Sequence, residues 1–109
     1  MIPKELNLEN IKEIYKKLTP FIKKTPILHS PKFIQNIFNT NLFLKLEFFQ
    51  HSGTFKARGV VNNILNLSDT QKNLGITAVS AGNHAIATSF AANKFGIENK
   101  VFMYNSANS

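Results

Sequence analysis

The sequence predicts an α/β fold: a parallel βαβαβ sheet preceded by N-terminal helices. Three observations lead there. Short apolar runs at residues 42–46, 76–80 and 100–104 read as strands, and segments of helical period separate them. Glycines punctuate the two points where a strand gives way to a helix, at Gly53 and Gly82. The composition, 43% hydrophobic and 17% charged over 109 residues, is that of a globular chain long enough for one small domain.

Residues 1–40 form the helical N-terminal segment and residues 41–109 the parallel α/β segment. Asn7 can cap a helix over 8–18, where Leu8, Ile11, Ile14, Tyr15 and Leu18 recur at helical spacing, and Thr19-Pro20 ends it. Residues 25–28 read as extended. Ser30-Pro31 signals a second helix, with Ser30 as N-cap, whose apolar face is Phe33, Ile34, Ile37 and Phe38. Residues 39–41 are a turn and 42–46 the first strand. A polar loop at 50–54 leads into a helix over 55–67, followed by a short polar helix or turn at 69–73. After the strand at 76–80 comes an Ala-rich helix over 83–95, closed by Gly96. Phe33, Phe38, Phe43, Phe90 and Phe95 are expected in the core. The chain stops straight after the third strand with no helix to cover it, so its end reads as a cut, and a parallel sheet needs both faces covered.

Charge and composition remove several function classes. There is no cysteine, so disulfides and thiolate metal sites are absent, which permits a cytoplasmic location. No apolar run has the length of a membrane span, and the acidic start of the chain resembles neither a signal nor a transit peptide. The net charge of +7 invites a nucleic-acid reading. However, Arg58 is the one guanidinium, and the dense group Lys12, Lys16, Lys17, Lys23 and Lys24 reads more simply as a solvated face. His29, His51 and His84 stand at no metal-ligand spacing, so no metal is expected.

Two junctions carry candidate chemistry, Ser52-Gly53-Thr54-Phe55-Lys56 and Ser80-Ala81-Gly82-Asn83-His84. Ligands of open α/β sheets gather at the C-terminal ends of strands, where both lie. Lys56 starts a helix, where the dipole disfavours a cation, beside Phe55 and Ala57. A partly buried amine there has the character of a Schiff-base lysine, because only the neutral amine attacks an aldehyde. Local features by themselves favour a surface lysine on the first turn over that reading. At the second junction, the N–H groups that open the helix, with Ser80 and Asn83 beside them, suit a carboxylate. Simple capping by Ser80 or Asn83 explains them as well.

Longer motifs decide between these readings. Leu44-Lys45-Leu46-Glu47, Gln50 and Ser52-Gly53-Thr54-Phe55-Lys56-Ala57-Arg58-Gly59 together resemble the cofactor-lysine motif of the serine/threonine dehydratases. These are pyridoxal-phosphate (PLP) enzymes of the tryptophan-synthase-like fold type II. Thr25-Pro26-Ile27 resembles that group's Thr-Pro-Leu segment, and Ser80-Ala81-Gly82-Asn83-His84-Ala85 its substrate-carboxylate loop. The resemblance spans about residues 22–108 and implies an incomplete portion of that fold.

By position, the resemblance implies that Lys56 forms the Schiff base with PLP and later acts as base at the substrate Cα. It implies that Phe55 packs on the pyridine ring and that Asn83 bonds its phenolic oxygen. Ser80, Ala81, Asn83 and His84 then line the carboxylate site. The implied substrate is L-threonine or L-serine, with no nucleic-acid or membrane partner, and full-length relatives are expected to be homo-oligomers. Serine racemases carry a serine where this chain has Ala81, so the match is to the dehydratases. His51, often Pro in the family, and Thr54, often Ser, are minor departures. No glycine follows Gly96, so the family's glycine-rich phosphate loop is not in this sequence. Activity is therefore expected to need a further part, which a separate gene could encode. A non-catalytic remnant that pairs with such a part, and a basic nucleic-acid binder, stay as alternatives.

Overall fold

Helix α1, Leu8–Leu18, begins where the Asn7 side chain accepts the N–H of Asn10 at 2.8 Å, as its sequence position predicts. It ends at Thr19, whose hydroxyl donates back to the Tyr15 carbonyl at 2.9 Å. The computed structural model describes residues 7–105. Most of the acidic N-terminal stretch, and the last four residues of the end that reads as a cut, lie outside these.

The next unit is a small excursion. Strand β1, Ile27–His29, is followed by helix α2, Lys32–Phe38, and strand β2, Phe43–Lys45. Asn39 closes α2 in the left-handed conformation, φ 46°, and so turns the chain back. β2 then runs antiparallel to β1 in the register Ile27↔Lys45, Leu28↔Leu44, His29↔Phe43. The run at 42–46 is therefore a strand but not a member of the parallel sheet. A seven-residue helix with a tight left-handed exit brings the chain back beside the strand it left. The N-cap of α2 is Pro31, not Ser30. Ser30 is buried, and its carbonyl accepts from the buried Gln35 amide at 2.6 Å.

Two 3₁₀ turns, Glu47–Phe49 and His51–Gly53, lead to helix α3, Lys56–Leu65. Helix α4, Asp69–Leu74, starts with a reciprocal capping box between Ser68 and Gln71. Strand β3, Ile76–Val79, helix α5, Asn83–Phe95, and strand β4, Asn99–Phe102, complete a βαβ unit in which β3 and β4 pair in parallel. The α/β class holds, with a parallel pair where three parallel strands were expected.

The core lies where α3 meets α5. Val60, Val61 and Ile64 of α3 and Ala87 and Ala91 of α5 are buried, with Leu18 and Ile22 closing one end. Small residues on α5 let α3 approach closely, and each contributes little volume of its own. Phe90 and Phe95 pack against this core as expected, Phe95 with its ring centroid 4.9 Å from that of Phe21. Phe33, Phe38 and Phe43 do not: each is more than 60% exposed on the β1–α2–β2 excursion. The radius of gyration is 17.0 Å, against about 13 Å for a compact domain of this length.

Candidate functional site

The approach to α3 is a strained loop. Ser52 and Gly53 are both left-handed, φ 60° and φ 66°, which glycine adopts freely and serine only at some cost. The turn is held by the Gly53 N–H on the Gln50 carbonyl at 2.9 Å. Thr54 is buried, and its Oγ1 accepts the N–H of Lys56 at 3.3 Å. Phe55, as N-cap, supplies no side-chain bond. The hydroxyl of Thr54 therefore marks the first residue of α3, and that residue is Lys56.

Lys56 is exposed, not partly buried as the sequence suggested. Its Nζ lies 5.2 Å from the centroid of the Phe55 ring and, among the described residues, makes no salt bridge. It lines a cleft of about 340 Å³ together with Phe55, Arg58, Gly59, Val60, Asn63 and His84. His84 comes from the start of α5, so the cleft joins the two junctions that the sequence singled out. A cavity of about 170 Å³ shares Val60, Asn63 and His84 with it. A larger cleft of about 740 Å³ runs along α5 and β4, lined by Ile86, Phe90, Lys94, Val101 and Met103 among others. Size does not decide the site: the smaller cleft joins the two junctions, with Phe55 and Lys56 from one and His84 from the other, whereas the larger one is mainly apolar.

At the second junction the Ser80 N–H continues the sheet by donating to the Phe102 carbonyl at 3.0 Å. Its Oγ accepts the N–H of Gly82 at 3.2 Å. Gly82 is the N-cap of α5, and no side chain caps the helix, so neither Ser80 nor Asn83 plays the capping part. The first-turn N–H groups of Asn83, His84 and Ala85 have no intrahelical carbonyl to bond and suit an anion. Asn83 and His84 are exposed, while Ser80 and Ala81 are half-buried. Lys56, Phe55 and His84 thus share one cleft. Ser80, Ala81 and Asn83 adjoin it through the α5 start without lining it.

A network that sequence reasoning left without a role sits behind Lys56. The Arg58 guanidinium forks onto Glu47, Nε to Oε2 at 2.8 Å and Nη2 to Oε1 at 2.7 Å. The same Nη2 reaches the Lys23 carbonyl at 3.3 Å and the Thr25 hydroxyl at 3.4 Å. Thr25 in turn donates to Glu47 Oε1, and Lys45 donates to the Thr25 carbonyl at 2.6 Å. Gln50 holds Lys23 at both its N–H and its carbonyl. The hydrogen bond from Arg58 holds the Glu47 carboxyl below its ordinary range, and burial opposes that effect. The same bond raises Arg58. The sequence carried a signal in the opposite charges on either side of the loop, but no local spacing joins positions eleven residues apart.

These residues fit the aldehyde end of PLP. A reachable amine can condense with the aldehyde, an aromatic ring stands beside it to pack on a planar heterocycle, and a helix start offers N–H donors nearby. Among the described residues no three His, Cys, Asp or Glu side chains gather in a way that could hold a metal, and no helix is long and apolar enough to cross a membrane.

Comparison with known proteins agrees with this chemistry. The catabolic L-threonine dehydratase TdcB of Staphylococcus aureus (strain USA300) is 42% identical over 102 residues, which cover 94% of this chain and 30% of that protein. Maize serine racemase superposes with a TM-score of 0.85 at 34% identity, over 94% of this chain and 31% of the racemase. A threonine deaminase from T.th. gives a TM-score of 0.72 at 28% identity, over 89% of this chain and 38% of its own. The chain thus spans about a third of the length of the proteins it matches. The family described as pyridoxal-phosphate dependent enzyme matches residues 18–109, and that is the family to which this chain belongs, with PLP as its cofactor.

Proposed function

We propose that this chain is the N-terminal part, residues 1–109, of a PLP-dependent L-threonine/L-serine dehydratase. The reaction is an ammonia-lyase β-elimination that yields a 2-oxo acid and ammonia. The observation that carries the reading is the cleft in which Lys56, Phe55 and His84 meet, in a chain 42% identical to an L-threonine dehydratase. When bound, the cofactor supplies the electron sink that makes the substrate Cα proton removable. Lys56 would hold it through its amine, and the free Nζ would take the substrate Cα proton. Phe55 would pack on the pyridine ring, and Asn83 would bond the ring oxygen. The N–H groups of Ala81, Asn83 and His84, with the hydroxyl of Ser80, would orient the substrate carboxylate. The Cα proton and the β-hydroxyl would together leave as one water, and hydrolysis of the resulting imino acid would consume one water and give the 2-oxo acid and ammonia. Catalysis requires further polypeptide that grips the cofactor phosphate. We place the protein in the cytoplasm and the assembled enzyme among homo-oligomers, with free amino acids as its partners and neither nucleic acid nor membrane.

Serine racemisation is the second reading, favoured by the superposition on maize serine racemase. It needs an acid/base group on the opposite face of the cofactor, and the methyl of Ala81 has no proton to give. The test joins this chain to the part of the Staphylococcus aureus dehydratase that it does not match and assays both reactions. The expected result is 2-oxo acid from L-threonine, abolished by Lys56→Ala. Formation of D-serine without 2-oxo acid, or full activity in Lys56→Ala, defeats the reading.

A further inference from the structure

Lys56 is exposed, and no ion pair among the described residues fixes its amine. Its place in the cleft therefore depends on where the backbone of the first turn of α3 is held. On the loop side that turn is held by three backbone N–H groups, Lys56 on the Thr54 hydroxyl, Ala57 on the Thr54 carbonyl and Arg58 on the Phe55 carbonyl. A side-chain restraint that reaches other segments of the chain lies two residues further on, at Arg58. Its guanidinium reaches Glu47 just after β2 and, in the segment between α1 and β1, the Lys23 carbonyl and the Thr25 hydroxyl. These contacts span 11, 35 and 33 residues of chain, so one planar group ties the lysine helix to two other segments. The Arg58 and Glu47 side chains are 24% and 19% exposed, sheltered enough for the fork to hold.

We propose that Arg58 is a positioning residue for the cofactor amine: clamped by Glu47 and Thr25, it locks the first turn of α3 and sets where Lys56 stands in the cleft. This rests on the reading of Lys56 as the amine that holds PLP. The fork geometry, not the charge alone, is what the role requires. Lysine in place of Arg58 would keep the cation but could not meet both oxygens of Glu47 and the Thr25 hydroxyl together.

The full chain is treated with PLP, reduced with borohydride and mapped by peptide mass, and the label on Lys56 is compared with that on Lys94 of α5. In the wild type the label is expected to favour Lys56. Arg58→Lys and Glu47→Gln are each expected to lower the ratio by about tenfold, the scale of loss when a reacting group is misplaced. The exchanged pair, Glu47→Arg with Arg58→Glu, is expected to recover part of it. Circular dichroism reports whether each variant is folded. If the charge variants unfold, Thr25→Val, which removes only the shared hydroxyl, is expected to lower the ratio by about threefold. A folded Arg58→Lys or Thr25→Val with the wild-type ratio overturns the positioning role and leaves Lys56 as the cofactor amine. Equal labelling of Lys56 and Lys94 in the wild type overturns the reading of Lys56 and the positioning role together.

Discussion

His51 lies flat against Phe90, with ring centroids 5.0 Å apart and planes inclined by 16°. The stack ties the loop that precedes the lysine helix to the middle of α5. Burial, together with the charges of Lys23 and Lys94, lowers the pKa of His51 below its ordinary 6.5. A depressed histidine binds its proton more tightly when unfolded, so folding is favoured at higher pH. The contribution of neutral His51 is fully present above pH 6.5 and is lost as pH falls through the lower folded value. Thermal melts between about pH 8 and about pH 5 should show the melting temperature falling on the acid side, and falling less in His51→Phe. Equal falls in the two proteins would remove His51 as the cause.

The Arg58–Glu47 fork should matter for stability as well as for placement. Removing either partner leaves a sheltered charge without its hydrogen bonds, a loss of about 1.5–3 kcal/mol. Urea unfolding of Arg58→Ala against wild type measures it, and an unchanged midpoint would contradict it. Glu47 is depressed below 4.5, so its stabilisation is fully present above pH 4.5 and disappears as pH drops through the folded value. The acid limb of the stability curve should accordingly be shallower in Glu47→Gln.

Two glycines should respond to alanine in opposite ways. Gly75 stands at φ 82°, and a Cβ there would lie 2.8 Å from the Glu98 carbonyl oxygen, so Gly75→Ala should cost about 2–3 kcal/mol. Gly59 lies inside α3, and a Cβ would meet nothing within 4 Å, so Gly59→Ala should stabilise by about 0.5–1 kcal/mol. The added methyl would narrow the cleft that Gly59 shares with Lys56, and labelling of Lys56 by PLP should fall even as the midpoint rises. A rise in both would show that the methyl does not reach the cofactor's path.

Local features were readable where the physics is local. Asn7 caps α1, Gly96 ends α5 in the left-handed conformation, and α5 covers the expected residues, because caps and helical hydrogen bonds join neighbours in sequence. The strand at 42–46 was recognisable as a strand, but its partner was not, since apolar runs carry no address. The phenylalanines divide in the same way. Phe90 and Phe95 find a core because α5 is sandwiched, and Phe33 and Phe38 stay exposed because the buried face of α2 is the one that carries Gln35.

From the amino acids alone came the family, the cofactor and the two junctions, since these rest on residue types in a fixed order. The tertiary structure decided that Lys56 is exposed, that His84 shares its cleft, and that Arg58 reaches back to Glu47 and Thr25. Those contacts join segments far apart in the chain, and only the packing of α3 against α5 and the return of β2 beside β1 bring them within reach.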